Sequence, residues 1–207
     1  MLQVKQLCVG SMQANCYLVW DETSKCVIID PGDDPEYIAE KISSFNLRPK
    51  FLLATHGHLD HILAVTGLKL IFNIPFLCSK KDEFLVRTMA KRAKFWQKNK
   101  QIPAPHIDTD LLDGKNITFG KSKLKVLATP GHTPGGVSFF NEKENLLFSG
   151  DTLFKQSIGR TDLSYSSPEL LQESLKKILN LPSSTVVYPG HGESTSIGEE
   201  KSVNYPY

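Results

Sequence analysis

Most histidines of this chain lie in three of four short segments that are far apart in the sequence and carry candidate metal ligands. Five of the six histidines fall in them, and the first segment, Thr55 to His61, is Thr-His-Gly-His-Leu-Asp-His. The other three segments place glycine or proline beside His132, Asp151 and His191. Imidazole and carboxylate groups are the usual protein ligands of divalent metal ions. A fold that uses these side chains together must bring four distant loops to one place.

A single histidine in a loop is usually a solvated polar residue, but a gathered set of ligand types favours a metal site. His56 and His58 can hold one ion together, whereas Asp60 and His61, about one turn onward, can reach a second ion. Gly57 leaves the loop free of a side chain between the ligands. The mixture of nitrogen and oxygen donors suits Zn²⁺, Fe²⁺ or Mn²⁺ and argues against a soft copper site. We therefore predict a metal centre built by His56, His58, Asp60, His61, His132, Asp151 and His191.

The apolar pattern predicts a similar order of elements in both halves of the chain. The first half is predicted to contain strands at 2–9, 15–20, 26–29, 51–54 and 76–78, and helices at 35–45, 61–72 and 80–100. The second half is predicted to contain strands at 117–119, 123–128, 137–140, 145–148 and 185–188, and a helix at 168–179. Two such halves would pack as two β-sheets with helices outside. The ligand loops would then emerge at strand ends along one edge.

Composition sets wide limits on function. With 207 residues, 40% hydrophobic residues and a formal net charge of +2, the chain is expected to form one domain over residues 1–207. The small net charge favours neither nucleic acid nor a membrane surface as partner. No apolar signal segment is found at the start, and the four cysteines lack a Cys-x-x-Cys pair. We therefore expect free core thiols and a cytoplasmic location.

The four ligand segments resemble those of the metallo-β-lactamase superfamily, and the resemblance covers nearly the whole chain. It implies an α/β fold, an αββα sandwich of two mixed β-sheets with helices on the outer faces and a binuclear metal centre at one edge. It assigns the first ion to His56, His58 and His132, the second to Asp60, His61 and His191, and the bridging position to Asp151. Asp30 matches an aspartate of the superfamily that orients the ligands from outside.

Further segments are similar to the short bacterial members of the hydroxyacylglutathione hydrolase, or glyoxalase II-like, branch. They are residues 11–17, 150–154, 158–162 and 195–200. The resemblance implies two divalent ions, Zn²⁺ first with Fe²⁺ or Mn²⁺ as alternatives. It also implies hydrolysis of a small acyl-thioester, with glutathione as one candidate carrier, by a hydroxide that bridges the two metals. Asp60 would both ligate and orient that hydroxide, in a protein acting as a monomer or a homodimer.

The chain departs from the longer enzymes of this branch in two places. Few residues follow His191, so we expect no C-terminal helical domain for holding glutathione. Arg160 falls where the family has a glutathione-contacting cation, and it is expected either to bind a substrate carboxylate or to pair with Asp162. The basic segment 80–100 is either a partial lid that attracts an anionic substrate or a solvated helix face.

Two other functions remain open on the same sequence. Persulfide dioxygenases share the histidine run and a Gly-Arg-Thr-Asp segment, and they use a single iron with two histidines and one carboxylate. This chain has Ile158 and Leu163 beside that segment, where those enzymes usually have cysteine and phenylalanine. A non-catalytic, metal-dependent binding module is the second alternative. The absence of a signal segment fits badly with a secreted β-lactamase. The number and identity of the bound metal ions would distinguish the thioester hydrolase from the persulfide dioxygenase.

Overall fold

Two six-stranded β-sheets form the centre of the protein. The structure, a computed structural model, describes residues 1–96 and 102–203, without the side chains of 92–96. The first sheet contains β1 (Gln3–Val9), β2 (Ala14–Trp20), β3 (Lys25–Ile29), β4 (Arg48–Leu53), β5 (Phe76–Cys78) and β6 (Thr109–Asp110), in this spatial order. Its first three strands form an antiparallel meander, and β3 to β6 pair in parallel.

The second half of the chain builds the second sheet. Its strands are β7 (Asn116–Phe119), β8 (Ser122–Ala128), β9 (Val137–Asn141), β10 (Leu146–Gly150), β13 (Val186–Pro189) and β14 (Thr195–Ser196). Their spatial order is β14-β13-β10-β9-β8-β7, and only β10 and β13 pair in parallel. The short strands β11 (Leu153–Phe154) and β12 (Ser157–Ile158) form a separate hairpin between β10 and β13.

Helices cover the outer faces of both sheets. They are α1 (Pro35–Ser44), α2 (Leu59–Ile62), α3 (Val65–Phe72), α4 (Glu83–Trp96), α5 (Pro168–Leu179) and α6 (Ile197–Glu200). Apolar side chains of α1, α3 and α4 pack on the outer face of the first sheet, and those of α5 and α6 pack on the second. A third apolar cluster fills the space between the sheets. This confirms the predicted αββα sandwich, in which each layer buries its apolar face against the next.

The alternation of side chains along β2 shows how one strand serves two cores. Tyr17 and Val19 point between the sheets, whereas Cys16 and Leu18 point to the helices, and all four are buried. Successive residues of a strand face opposite sides of the sheet, so a strand covered on both faces is apolar throughout. The inner strands of the first sheet therefore appear in the sequence as continuous apolar runs.

The predicted helix over 61–72 is wrong, because the segment folds as two helices. The backbone N–H of Ala64 donates to the carbonyl of Pro31, and a new helical ladder begins when Leu68 N–H donates to Ala64. A donor that leaves the helix for a tertiary acceptor breaks the helix at that residue. The break leaves α2 as a single turn that carries Asp60 and His61.

Other elements also differ from the predicted ones. The predicted helix over 80–100 begins with a 3₁₀ turn at Lys80–Asp82, α4 follows, and residues 97–100 lie outside the described part. Strand β4 starts at Arg48 rather than at 51, since a register shift of the β3–β4 ladder accommodates Pro49. The sequence patterns did not predict the short elements β6, β11, β12, β14 and α6.

Three of the four cysteines fit the predicted core thiols. Cys16, Cys26 and Cys78 are buried free thiols, as predicted, but Cys8 in β1 is exposed. Among the described residues, no helix combines the length and the apolar character that a membrane span requires.

Candidate metal centre

The candidate ligands leave the two sheets at the carboxyl ends of their strands. His56 follows β4, His132 follows β8, Asp151 follows β10 and His191 follows β13. Asp60 and His61 come from α2, directly after the first ligand loop. The structure brings all seven predicted ligands to this one edge, in three groups whose ligand atoms lie within 4.8 Å of one another. The edge therefore joins ligands from both sheets.

Three imidazole nitrogens converge in the first group of candidate ligands. Nδ1 of His58 lies 3.0 Å from Nε2 of His56 and 3.0 Å from Nε2 of His132. The opposite nitrogen of His132 donates to the carbonyl oxygen of Arg160 at 2.9 Å, so its Nε2 presents a lone pair. A tetrahedral zinc site with Zn–N bonds of about 2.0–2.1 Å has ligand nitrogens roughly 3.3 Å apart. The observed separations fit one shared cation.

A second group brings together Asp60, His61 and His191. Oδ2 of Asp60 lies 3.2 Å from Nε2 of His191 and 3.5 Å from Nε2 of His61. Nδ1 of His61 donates to Oδ2 of Asp30 at 3.0 Å, and Nδ1 of His191 donates to the carbonyl of Gln13 at 3.3 Å. Both rings therefore turn Nε2 toward the carboxylate of Asp60.

Asp151 lies between the two groups. Its Oδ1 is 3.5 Å from Nε2 of His61, and its Oδ2 is 3.6 Å from Nε2 of His132. Oδ2 is also 3.9 Å from Nε2 of both His56 and His191. One carboxylate with an oxygen facing each group is placed to bridge two cations.

Electrostatics in this cluster pull the pKa values in opposite directions. Burial lowers the pKa of His56 well below its ordinary value, and the neighbouring histidines lower it further. Burial also opposes a charge on His61, but the carboxylates of Asp151, Asp60 and Asp30 raise its pKa to about 10. Burial alone would raise the pKa of Asp60, yet His61 and His191 hold it well below its ordinary value. Without a cation, a proton on His61 supplies the positive charge that these carboxylates require.

Two atoms of the cluster test whether a cation fits there. Nε2 of His61 and Oδ1 of Asp151 are buried and have no hydrogen-bond partner among the described residues. Buried polar atoms without partners are rare because each costs free energy. Both atoms face the space between the two groups, and both are good ligands for a divalent ion. The donor set and its orphaned atoms therefore fit a metal centre.

Two buried aspartates support the ligand loops from outside. Asp30 accepts hydrogen bonds from the backbone N–H and the hydroxyl of Thr55, both at 2.7 Å, in addition to the bond from His61. Asp82 accepts from Gly57 N–H at 2.8 Å, from the Thr133 hydroxyl at 2.7 Å and from Gly135 N–H at 2.6 Å. Asp30 thus contacts both His61 and the loop that carries His56. Asp82 was missed because it lies in a segment that the sequence marked only as basic.

A Cβ added at Gly57 would lie 2.9 Å from the Cβ of Asp82, closer than such atoms normally approach. The lack of a side chain at this position therefore makes room for the supporting aspartate, rather than for the ligands as the sequence suggested. A Cβ at Gly190 would meet Oδ1 of Asp151 and would lie 2.8 Å from Cε1 of His61. Close approach of the backbone to the ligands explains the glycine before His191.

Two residues of the loop after β12 lie beside the first group. The guanidinium of Arg160 donates to both oxygens of Asp162, at 2.6 and 2.7 Å, on the protein surface. The structural pair anticipated for Arg160 is thus present. The hydroxyl of Tyr165 lies 2.8 Å from Nε2 of His58. Tyr165 was missed because the serine-rich segment around it carries no motif. The lid prediction depends largely on side chains at 92–100, which lie outside what the structure describes.

Comparison with known proteins gives the family. The model of the metallo-β-lactamase superfamily matches residues 9–191. The chain is 35% identical over 211 residues to hydroxyacylglutathione hydrolase GloC of Haemophilus influenzae, covering 98% of this chain and 97% of that protein. It resembles the crystal structure of BLEG-1 B3 metallo-β-lactamase with a TM-score of 0.89 and 38% identity, over 99% of this chain and 98% of that one. A di-iron-bound form of TTHA1623 has a TM-score of 0.88 and 38% identity, over 97% and 98%. The chain belongs to the metallo-β-lactamase superfamily.

Proposed function

We propose that the protein is a binuclear metallohydrolase that cleaves an acyl-thioester of the hydroxyacylglutathione type. The observation that carries the proposal is the cluster of seven ligands, with Asp151 facing both groups and two orphaned atoms between them. The similarity to a hydroxyacylglutathione hydrolase supports the choice of substrate. The di-iron form of a similar structure supports two ions rather than one.

The proposed roles follow from the two groups. His56, His58 and His132 would hold the first ion, Asp60, His61 and His191 the second, and Asp151 both. Two such ions supply Lewis-acid polarisation of the substrate carbonyl and lower the pKa of water toward about 7. We infer Zn²⁺ as the resident metal, with Fe²⁺ or Mn²⁺ as the alternatives for this donor set.

The chain's own groups would position the reactants. Asp60 stays ionised because its pKa is held low, so its carboxylate can accept a hydrogen bond from an attacking water and fix the direction of its lone pair. A thiol has a pKa of about 8.5, so a thiolate leaves without a dedicated general acid. The site therefore needs no further acid to complete thioester cleavage.

Arg160 is the proposed contact for a substrate carboxylate. Its guanidinium is exposed and paired only with the exposed Asp162 among the described residues. Exposed ion pairs are weak because water screens them, so a carboxylate of the substrate can replace Asp162. The pair would then hold the guanidinium in place until substrate binds.

The test combines metal analysis with a substrate panel. Protein purified without chelators or added metal is expected to contain two metal ions per chain and to release free thiol from lactoylglutathione. Acyl-coenzyme A, a lactone, a β-lactam and glutathione persulfide serve as the comparison substrates. His58→Ala is expected to lose bound metal and turnover together. A single iron with oxygen uptake on persulfide would instead establish the dioxygenase, and two ions without turnover on any substrate would favour a binding module.

A further inference from the structure

Four of the five candidate histidine ligands have an outer nitrogen whose hydrogen bond fixes the tautomer. Nδ1 of His61 faces the carboxylate of Asp30, and Nδ1 of His132 and His191 faces backbone carbonyls. Nδ1 of His56 faces the Thr55 hydroxyl at 3.1 Å, whose proton is already donated to Asp30. All four partners must accept, so each of these rings carries hydrogen on Nδ1 and turns Nε2 toward the centre.

His58 is oriented the opposite way, and its outer nitrogen meets a group that can donate or accept. Its Nδ1 faces the other two nitrogens of the first group, and its Nε2 lies 2.8 Å from the hydroxyl of Tyr165. If the phenol donated, hydrogen would lie on Nδ1, between Nε2 of His56 and Nε2 of His132. That hydrogen would occupy the position where the three nitrogens converge. If the phenol accepts, His58 carries hydrogen on Nε2 and a lone pair on Nδ1.

The loop around Tyr165 is tied to the ligand loops. The hydroxyl of Ser166 donates to the carbonyl of His132 at 2.7 Å, and Ser167 N–H donates to the carbonyl of Gly131 at 2.8 Å. The ring of Tyr165 meets the ring of Phe84 edge-on, with centroids 5.4 Å apart. The hydrogen bonds of Ser166 and Ser167 thus anchor the backbone beside Tyr165 to the loop that carries His132. The hydroxyl of Tyr165 has no other hydrogen-bond partner within the described ranges, so it can serve as the acceptor.

We propose that Tyr165 is the positioning residue of the first metal group, accepting the Nε2 hydrogen of His58 so that the Nδ1 lone pair faces the cation. The proposal rests on the proposed assignment of His56, His58 and His132 to one ion. Outer partners of metal-bound histidines set the tautomer and the ring direction, and their loss typically weakens metal binding about 10- to 100-fold. Tyr165 would act on one of the two ions, because its contact is with the first group alone.

The test measures zinc binding by Tyr165→Phe through chelator competition. This variant keeps the ring and its contact with Phe84 and removes only the hydroxyl. Binding of one zinc ion is expected to weaken about 10- to 100-fold, while the other keeps its wild-type affinity. In the zinc-loaded wild type, nitrogen-15 NMR should show the His58 Nε2 hydrogen in slow exchange with water. In Tyr165→Phe, that exchange should become fast.

Two matched variants separate positioning from a general disturbance. Phe84→Leu removes the neighbouring ring but keeps the hydroxyl, and should leave both affinities and the His58 exchange rate near wild type. Asp30→Asn alters the partner of His61 and also the acceptor of the Thr55 hydroxyl that faces His56, so it should weaken both zinc ions. Equal weakening of both ions by Tyr165→Phe, or unchanged affinities with slow His58 exchange, would overturn the proposal. Neither readout needs turnover, so a protein that binds two zinc ions but cleaves no thioester would refute the proposed function alone.

Discussion

At the scale of single residues, the supporting contacts decide which atoms of the ligands face the centre. Asp30 shows this best, since its two carboxylate oxygens satisfy Thr55 and His61 at once. Its backbone has a φ of 51°, in the left-handed region that aspartate tolerates better than most residues. The turn after β3 therefore aims one carboxylate at the ligand loop, and that carboxylate turns Nε2 of His61 inward.

The raised pKa of His61 predicts that metal uptake releases protons. Below a pKa of about 10, the metal-free protein carries a proton on His61, which a cation must displace. Metal affinity should therefore increase as pH rises through the neutral range and level off near pH 10. Titration calorimetry of the metal-free protein at pH 7.5, in buffers of different ionisation enthalpy, should show about one proton released from this residue. Binding heats that do not depend on the buffer would contradict the prediction.

The exposed pair of Arg160 and Asp162 predicts a separation of substrate binding from catalysis. Arg160→Gln should raise KM for a carboxylate-bearing thioester on the order of tenfold, the loss typical of one hydrogen bond to a charged group, and leave kcat near wild type. The pKa of Asp162, which Arg160 lowers to about 2, should return toward its ordinary value, as carbon-13 NMR can measure. Steady-state kinetics with a substrate lacking carboxylates provides the control. A fall in kcat with unchanged KM would contradict the proposed role.

At the scale of elements, the start of α4 connects two ligand loops. Asp82 ends the 3₁₀ turn before α4, is fully buried, and accepts from both the loop of His56 and the loop of His132. Gly135 lacks a side chain where a Cβ would lie 2.6 Å from Cγ of Asp82. Burial raises the pKa of Asp82, although its three hydrogen bonds oppose the shift. The carboxylate is therefore an internal connection between the two sheets.

Asp82→Ala should destabilise the protein strongly. It leaves two buried N–H groups and one hydroxyl without an acceptor, and each unsatisfied group costs about 1–3 kcal/mol. We expect a loss of at least about 2 kcal/mol in the free energy of unfolding, measured by urea denaturation of the metal-free protein. Glu83→Ala is the matched control, because it removes only the exposed pair with Arg87, worth about 0.3–0.5 kcal/mol. Similar losses in both variants would contradict the connecting role.

At the scale of the whole molecule, the candidate centre lies at the joint between two halves. The first half supplies His56, His58, Asp60 and His61, and the second half supplies His132, Asp151 and His191. A cation held by both sets would bind the folded state and not the separated halves. Such binding adds to the free energy of unfolding by mass action.

Metal removal should therefore lower the melting temperature. With free metal at a hundred times Kd, each ion adds about 2.7 kcal/mol, which corresponds to roughly 5–10 °C for a chain of this size. Calorimetry of the metal-loaded protein and of protein stripped by a chelator measures the difference. His191→Ala, which removes one ligand of the second group, should show a smaller shift on stripping. Equal melting temperatures with and without metal would rule out a shared centre.

Much of the fold follows from local pattern. Apolar runs located nearly all of the long strands, and the amphipathic spacing of α1 and α5 located both helices closely. The break between α2 and α3 could not be predicted from local pattern, because the acceptor for Ala64 N–H is the carbonyl of Pro31, which lies on another loop. The two-residue strands could not be predicted from local pattern either. Two residues are too few to show an alternating pattern, and only their pairing with a neighbouring strand defines them.

By itself, the sequence determined which side chains could hold metal, because histidine, aspartate and glycine at short spacing carry ligand chemistry in their own atoms. Only the tertiary structure decided which nitrogen of each ring faces the centre. That choice depends on Asp30, Tyr165 and the carbonyl of Arg160, which come from other segments of the chain. The tertiary structure also decided the role of Asp82, which accepts from three donors that lie 25 to 53 residues away in the sequence. These hydrogen-bond partners depend on which loops come into contact in the folded protein, and a local sequence pattern does not specify contacts between distant segments.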